Sequence, residues 1–254
     1  MILERAGFGD GPARPLLVAH GLFGSGRNWS VIARRLSDRG RVVTVDMRNH
    51  GASGRSGDHS YPAMARDLAE TIEAEGGGAW DVIGHSMGGK AAMTLALARP
   101  DLVHALVVAD IAPIAYDHTQ RHLIEAMRAL DPATVSSRGE ADAALAKSVD
   151  DPGVRAFLLQ SLDVRDGRWA LNLDALDAAM DGIVGWHDPG GTFDGPALFL
   201  AGGESDYVPA EARGAIRALF PRARIARIPG AGHWLHAEKP REFVAAVRAF
   251  LDRA

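Results

Sequence analysis

No cysteine occurs anywhere in the 254 residues. Disulfides, thiolate zinc sites and cysteine nucleophiles are therefore excluded, and a reducing cytoplasm is the expected compartment. Long apolar runs are missing too: nowhere do about 18 apolar residues follow one another, the length a membrane-spanning helix needs. The start, Met1 to Arg5, has no basic segment leading into an apolar one, so the chain is expected to be soluble and not exported. An excess of one charge sign is also lacking. The net charge is only -4 with the basic residues spread out, which excludes a nucleic-acid or anionic-membrane footprint. Arg222, Arg224 and Arg227 are expected to form a solvated surface. Internal repeats, low-complexity tracts and linkers are absent as well.

What is present is alternation. Short apolar runs at Leu16–Ala19, Arg41–Asp46, Ala79–Ile83 and Leu102–Asp110 read as buried strands. Helical stretches fall between them, near 29–38, 62–75 and 90–98. Residues 2–6 are expected to form an edge strand, with turns at Gly7, Gly9, Gly11, Pro12 and Pro15. Near-continuous apolar strands separated by helices indicate an α/β fold, a mostly parallel central sheet flanked by helices on both faces. Between 114 and 195 the alternation stops. Helices are expected near Gln120, Glu140, Gly153 and Asn172, with no convincing strand. Alternation resumes at Pro196–Ala201, with a helix near 210–219, a strand at Arg224–Ile228 and a last helix at Arg241–Leu251. The core is thus expected to be discontinuous, 1–113 and 196–254, with 114–195 an inserted helical cap above the C-terminal strand ends, where open α/β sheets bind ligands. A chain of this length can bury about 70 to 75% of its unfolded surface, so it needs no covalent staples.

The most informative stretch is Val82–Gly89. An apolar strand breaks at Gly84-His85-Ser86-Met87-Gly88 into a run of strong helix formers. In a G-x-S-x-G turn the serine is carried on a tight bend where a side chain at either glycine would meet neighbouring backbone. Ser86 is then exposed at the strand end, facing the positive end of the following helix. A serine hydroxyl is a weak nucleophile until a base takes its proton, and that base needs an orienting acid. His233, in the Gly-rich loop Pro229–His236 after the last strand, is the expected base. His236 is a weaker rival. His20, His50 and His85 lie beside the same loops and are expected to shape them through hydrogen bonds. The N–H of Met87, next after the serine, is one expected oxyanion donor.

The segments Gly84–Gly89, His20–Ser25, Asp46–Ser53 and Gly230–His236 resemble the α/β-hydrolase superfamily. More narrowly, His20–Ser25, Asp46–Gly51, Val108–Pro113 and Gly230–Pro240 resemble small bacterial YbfF-type esterases, and the likeness extends to Gly185-Trp186. The resemblance implies serine hydrolysis, with the N–H of Leu22 as second oxyanion donor and no cofactor or metal. It leaves the orienting acid open. Most α/β-hydrolases place it after the strand that follows the cap. Counting back from Val208-Pro209 puts Ser205 in that register and Asp206 one residue late. The YbfF-type pattern places it at Asp110, with Ser205 assisting. Asp110 is the favoured choice and Asp206 the alternative. Phe23, Met87, Trp186 and Trp234 are expected to line an acyl pocket.

The expected activity is hydrolysis of carboxylic esters of short acyl chains, with acyl thioesters as a second substrate class. Cofactor-free perhydrolysis, carbon-carbon bond hydrolysis or a ligand-binding signalling role on the same fold are the alternatives. The expected partner is a small-molecule ester, with a monomer as the default state.

Overall fold

The computed structural model describes residues 1–254. Six strands form one sheet: β1 (Arg5–Ala19), β2 (Gly40–Val45), β3 (Trp80–His85), β4 (Val103–Ala109) and, much later in the chain, β7 (Ala197–Gly202) and β8 (Ala223–Ile228). Their order is β2-β1-β3-β4-β7-β8. All pairs from β1 onward run parallel, with registers such as Val18 to Ile83 and Gly84 to Val108. The edge is the exception. Partner numbers on β2 fall from Arg5–Val45 to Phe8–Val42, then rise from Leu16–Val42 to Ala19–Val45. Falling numbers are the antiparallel sense, so the two ends of β1 flank β2 on opposite sides. The edge strand expected at 2–6 therefore begins at Arg5 and bends through the Gly- and Pro-rich stretch without leaving the sheet. The backbone of Arg5–Phe8 finds partners on β2, which outweighs the turn tendency of glycine.

Alternation along the strands explains the layers. Leu17, Ala19, Val82, Leu106, Val108 and Phe199 face one way and are buried with α2 (Tyr61–Ala74) and α3 (Met87–Ala98). Leu16, Val18, Ile83, Val107, Leu198 and Leu200 face the other way, under α1 (Ser30–Leu36) and α11 (Pro240–Leu251). Each fully buried branched side chain in these layers contributes about 1.5–3 kcal/mol of transfer free energy.

The segment between β4 and β7 carries α4 (Arg121–Ala129), α5 (Arg138–Leu145), α6 (Pro152–Leu158), α7 (Leu173–Ala178) and α8 (Met180–Val184). Four helices start within two residues of their expected positions, and α8 adds a fifth. The expectation of no strand there needs correction: β5 (Leu162–Asp163) and β6 (Arg168–Trp169) form a two-rung antiparallel ladder. The turn between them is sealed by Asp163, whose carboxylate accepts from the N–H groups of Arg165 and Asp166, a side-chain device that apolar patterning does not register. After β7, α9 (Ala212–Leu219) leads to β8, and the single turn α10 (Leu235–Glu238) precedes α11. No helix is long and apolar enough to cross a membrane.

The helix after β3 sits unusually close to the sheet. A Cβ at Gly88 would lie 2.4 Å from the His20 carbonyl oxygen and 2.5 Å from that of Ala19, and one at Gly84 would lie 2.3 Å from the Gly88 oxygen. These obstacles are backbone and cannot rotate away. Gly88→Ala is thus expected to push α3 off the end of β1 and cost roughly 2–4 kcal/mol, read as a lower urea midpoint with an unchanged m-value. A midpoint equal to wild type would contradict this packing.

Candidate active site

Four non-glycine residues have positive φ: Phe23 (63°), Asn49 (66°), Ser86 (50°) and Asp110 (50°). Each follows the C-terminal end of a different sheet strand, β1, β2, β3 and β4 in turn. Such conformations cost of order 1–3 kcal/mol each and persist where surrounding structure over-determines them. Ser86, with ψ of -119°, stands between β3 and α3 at the turn set by Gly84 and Gly88.

Asp110 is fully buried at the end of β4. Its Oδ1 accepts from the Gly202 N–H at 2.7 Å, and its Oδ2 accepts from His233 Nδ1 at 2.8 Å. The Ser205 hydroxyl also donates to Oδ2. Asp206, the alternative acid, makes no bond to His233: it lines an outer pocket with Glu204, one to whose wall His233 also contributes. The loop that delivers Ser205 is held by Arg227, whose guanidinium donates to the carbonyls of Gly202 at 3.1 Å and Val208. Arg227 was expected on a solvated surface with its neighbours. Arg222, Arg224 and Arg227 are all exposed, and Arg227 reaches the loop along the surface because it pairs with Ala201 across β8 and β7, directly beside it.

With Nδ1–H committed to Asp110, the Nε2 of His233 has no protein partner and can accept a proton. The ring stacks on Tyr207 at 4.0 Å between centroids, and its backbone carbonyl accepts from His85 Nε2 at 2.9 Å. Ser86 and His233 line one cavity of about 280 Å³. Phe23, Met87 and Trp234 line it as well, and so does the Leu22 segment. Trp186 does not; it packs against the apolar core, because the chain turns away from the cavity after Val184. Wall residues with no sequence motif of their own are Tyr61, Tyr116, Val154, Phe157 and Tyr207. One signal was available for another, Lys90, a charge set in the otherwise apolar run of α3. The Leu22 N–H, in the loop after β1, has no acceptor within the protein. That of Met87 opens α3, where a first-turn N–H has no intrahelical acceptor.

His20 and His50 brace loops. His20 Nδ1 donates to the Gly21 carbonyl at 2.8 Å while its Nε2 accepts from the Met47 N–H at 2.9 Å. His50 Nδ1 donates to the Arg48 carbonyl at 2.9 Å, and its Nε2 accepts from the Phe23 N–H at 3.2 Å. Both rings are thus fixed as neutral tautomers. His236 lies flat against Trp29, 4.0 Å between centroids, with a buried Nδ1 that has no partner. No cluster of three or more His, Cys, Asp or Glu is arranged to hold a metal ion.

The fold and this geometry define a class before any relative is considered: a serine at a strand-to-helix turn, a histidine after the last strand and a helical insert between. The chain belongs to the alpha/beta hydrolase family, whose model matches residues 16–247. It is 42% identical over 240 residues to esterase YbfF of Escherichia coli, covering 94% of this chain and 93% of that protein. It is 43% identical over 253 residues to the mouse sn-1-specific diacylglycerol lipase ABHD11, covering 96% of this chain and 82% of that protein. Among solved structures, a marine microorganism esterase superposes with a TM-score of 0.93 at 39% identity, over 98% of this chain and 99% of that one. The protein is therefore an enzyme of the α/β-hydrolase type, related to esterases and lipases.

Burial holds His20 down to about 4, and His50, His59 and His236 down to about 3. The unfolded chain protonates near pH 6.5, so below that it binds more protons than the folded one. Stability should then be full above about pH 6.5 and fall as pH drops toward 4, by up to about 1.4 kcal/mol per pH unit for each ring. Thermal unfolding at pH 7, 5.5 and 4.5 should show a falling Tm. His236→Phe, which keeps the stack on Trp29, should make that fall shallower. A Tm independent of pH across this range would contradict neutral burial of these rings.

Proposed function

We propose that the protein is a serine carboxylesterase acting through an acyl-enzyme on Ser86. The observation that carries this reading is the His233 ring: its Nδ1 is tied to buried Asp110 and its Nε2 is left free on the cavity that Ser86 also lines. In this reading His233 Nε2 takes the Ser86 proton as the hydroxyl attacks the ester carbonyl. The Leu22 and Met87 N–H groups receive the oxyanion, each contributing about 3 to 4 kcal/mol in the transition state. His233 then returns the proton to the leaving alcohol. Water, deprotonated by the same nitrogen, attacks the acyl-serine and releases the acid.

Asp110 is the orienting acid in this account, rather than Asp206, because it is the carboxylate bonded to His233. Ser205 assists by donating to the same oxygen, which spreads the carboxylate charge and fixes its plane. Residues 114–195 serve as a cap on a core of 1–113 and 196–254, since Val154, Phe157, Ile183 and Val184 supply cavity wall from that segment. The cavity, about 280 Å³, is at the small end of ligand pockets, roughly 300–1,000 Å³, which favours short acyl chains. A thioester presents the same carbonyl and a better leaving group, so acyl thioesters fall within the same chemistry. The cysteine-free composition supports action in the cytoplasm on small-molecule substrates.

Ser86→Ala should abolish both labelling by a fluorophosphonate probe and turnover of p-nitrophenyl butyrate. Labelling of wild type without multiple turnovers would instead mark a ligand-binding role. Asp110→Asn should lower kcat by about 10⁴-fold, by analogy with other triads, while Asp206→Asn should change it by a small factor. The reverse ranking would move the acid to Asp206. Ser205→Ala removes one hydrogen bond to a buried charge, worth about 1.5–3 kcal/mol, and should lower kcat by roughly 10- to 150-fold with KM little changed.

A further inference from the structure

Lys90 lies four residues beyond Ser86 on α3, and only 1% of it is exposed. Of the 25 residues lining the cavity it is the sole Lys, Arg, Asp or Glu. Its Nζ donates to the carbonyls of Val184 at 2.9 Å and Gly185 at 2.5 Å, and it stands 4.7 Å from the centroid of the Tyr116 ring and 5.8 Å from that of Tyr61. Carbonyl dipoles and ring faces ease a positive charge but do not neutralise it. An ammonium has three donors, so one N–H is left over. The nearby hydroxyls are committed elsewhere, Tyr61 donating to the Ile183 carbonyl and Tyr116 to that of Tyr207. A lysine this enclosed is ordinarily paired with an anion. Here its hydrogen bonds go to backbone carbonyls, and the cavity is where a counter-charge could enter.

The helix sets the reach. Ser86 and Lys90 are one turn apart on the same face, about 6 Å along the axis at roughly 1.5 Å per residue. Side chains on a helix lean toward its N-terminus, so the lysine stem bends back toward the serine end. An extended carbon chain advances roughly 1.3 Å per bond of about 1.5 Å, so four bonds bridge about 5 Å.

We propose that Lys90 makes the pocket selective for acyl groups that end in a carboxylate, the half-esters of short dicarboxylic acids such as succinic and glutaric acid. This rests on the esterase reading above. Hydrolysis of such a half-ester consumes one water and yields the alcohol, the dicarboxylate and a proton; Lys90 binds the distal carboxylate and makes or breaks no bond. Burial holds the unliganded amine down to about 7, so a bound carboxylate would restore its proton. The other titratable groups facing it are Tyr61 and Tyr116, whose hydroxyls burial pushes up, and His118, whose ring burial holds down. All three are uncharged between pH 7 and 9.

Two measurements test this. By calorimetry on the wild-type protein, glutarate should bind at least about tenfold more tightly than butyrate at pH 6.5, a gap of about 1.4 kcal/mol, and the gap should narrow by pH 9. Equal affinities at pH 6.5 would overturn the proposal. In turnover, the ratio of kcat/KM for monoethyl glutarate to that for ethyl butyrate should fall at least about tenfold in Lys90→Met. A uniform loss on both esters would mean that Lys90 only secures Val184 and Gly185, which also overturns it. If wild type hydrolyses neither ester, the esterase reading fails, and the glutarate and butyrate affinities still decide the role of Lys90. The same affinities decide it if the variant does not fold.

Discussion

Everything at the candidate site depends on one contact, the 2.8 Å hydrogen bond between Asp110 and His233, which joins positions 123 residues apart. It exists because β4, β7 and β8 are neighbours in that order, although β4 is separated from β7 by more than eighty residues of helical insert. Asp110 is fully enclosed, and a buried carboxylate without partners would be costly. Its side-chain partners all come from beyond the helical segment: the Gly202 N–H at the end of β7, the Ser205 hydroxyl just beyond it, and the His233 ring after β8. The contact that would orient the base thus also ties the end of β4 to the loops after β7 and β8.

Rigidity around that contact is supplied by groups that do not react in the proposed chemistry. His20, His50 and His85 each bond to a backbone group of a different loop, and His20 and His50 use one nitrogen as donor and the other as acceptor. A ring bonded through both nitrogens to backbone cannot take a proton without losing a bond, which agrees with the strong lowering of its proton affinity. Strain is concentrated in the same place, since the four non-glycine residues with positive φ follow β1 to β4. The loops hold high-energy conformations because the histidine bonds and the close approach of α3 leave no room to relax.

Reading the chain and seeing it folded agree best where the signal is local. The turn at Gly84–Gly88 was readable because its steric requirement is met or failed by five consecutive residues. The alternation of strands and helices was readable because a sheet covered on both faces demands apolar runs. Reading fell short wherever a partner is remote in sequence. The bend of β1 around β2, the β5–β6 ladder, the bonds of Arg227 to the loop after β7 and the absence of Trp186 from the cavity wall all depend on which backbone groups lie near. Lys90 had a faint signal, a charge in an apolar helix, but whether it faced solvent, a carboxylate or a cavity was invisible.

By itself, the sequence determined the fold class, the serine at a strand-to-helix turn, and the supply of a histidine and candidate acids in the right chain order. These follow from periodicity, glycine sterics and side-chain chemistry, all of which act over a few residues. Only the tertiary structure decided which aspartate meets His233, which rings wall the cavity, and that a lone lysine sits in it. Those are statements about distances between residues far apart in the chain, 94 for Lys90 and Val184 and 123 for Asp110 and His233. They are set by strand order and by the register of β7 against β4, and neither leaves a periodic trace in the chain.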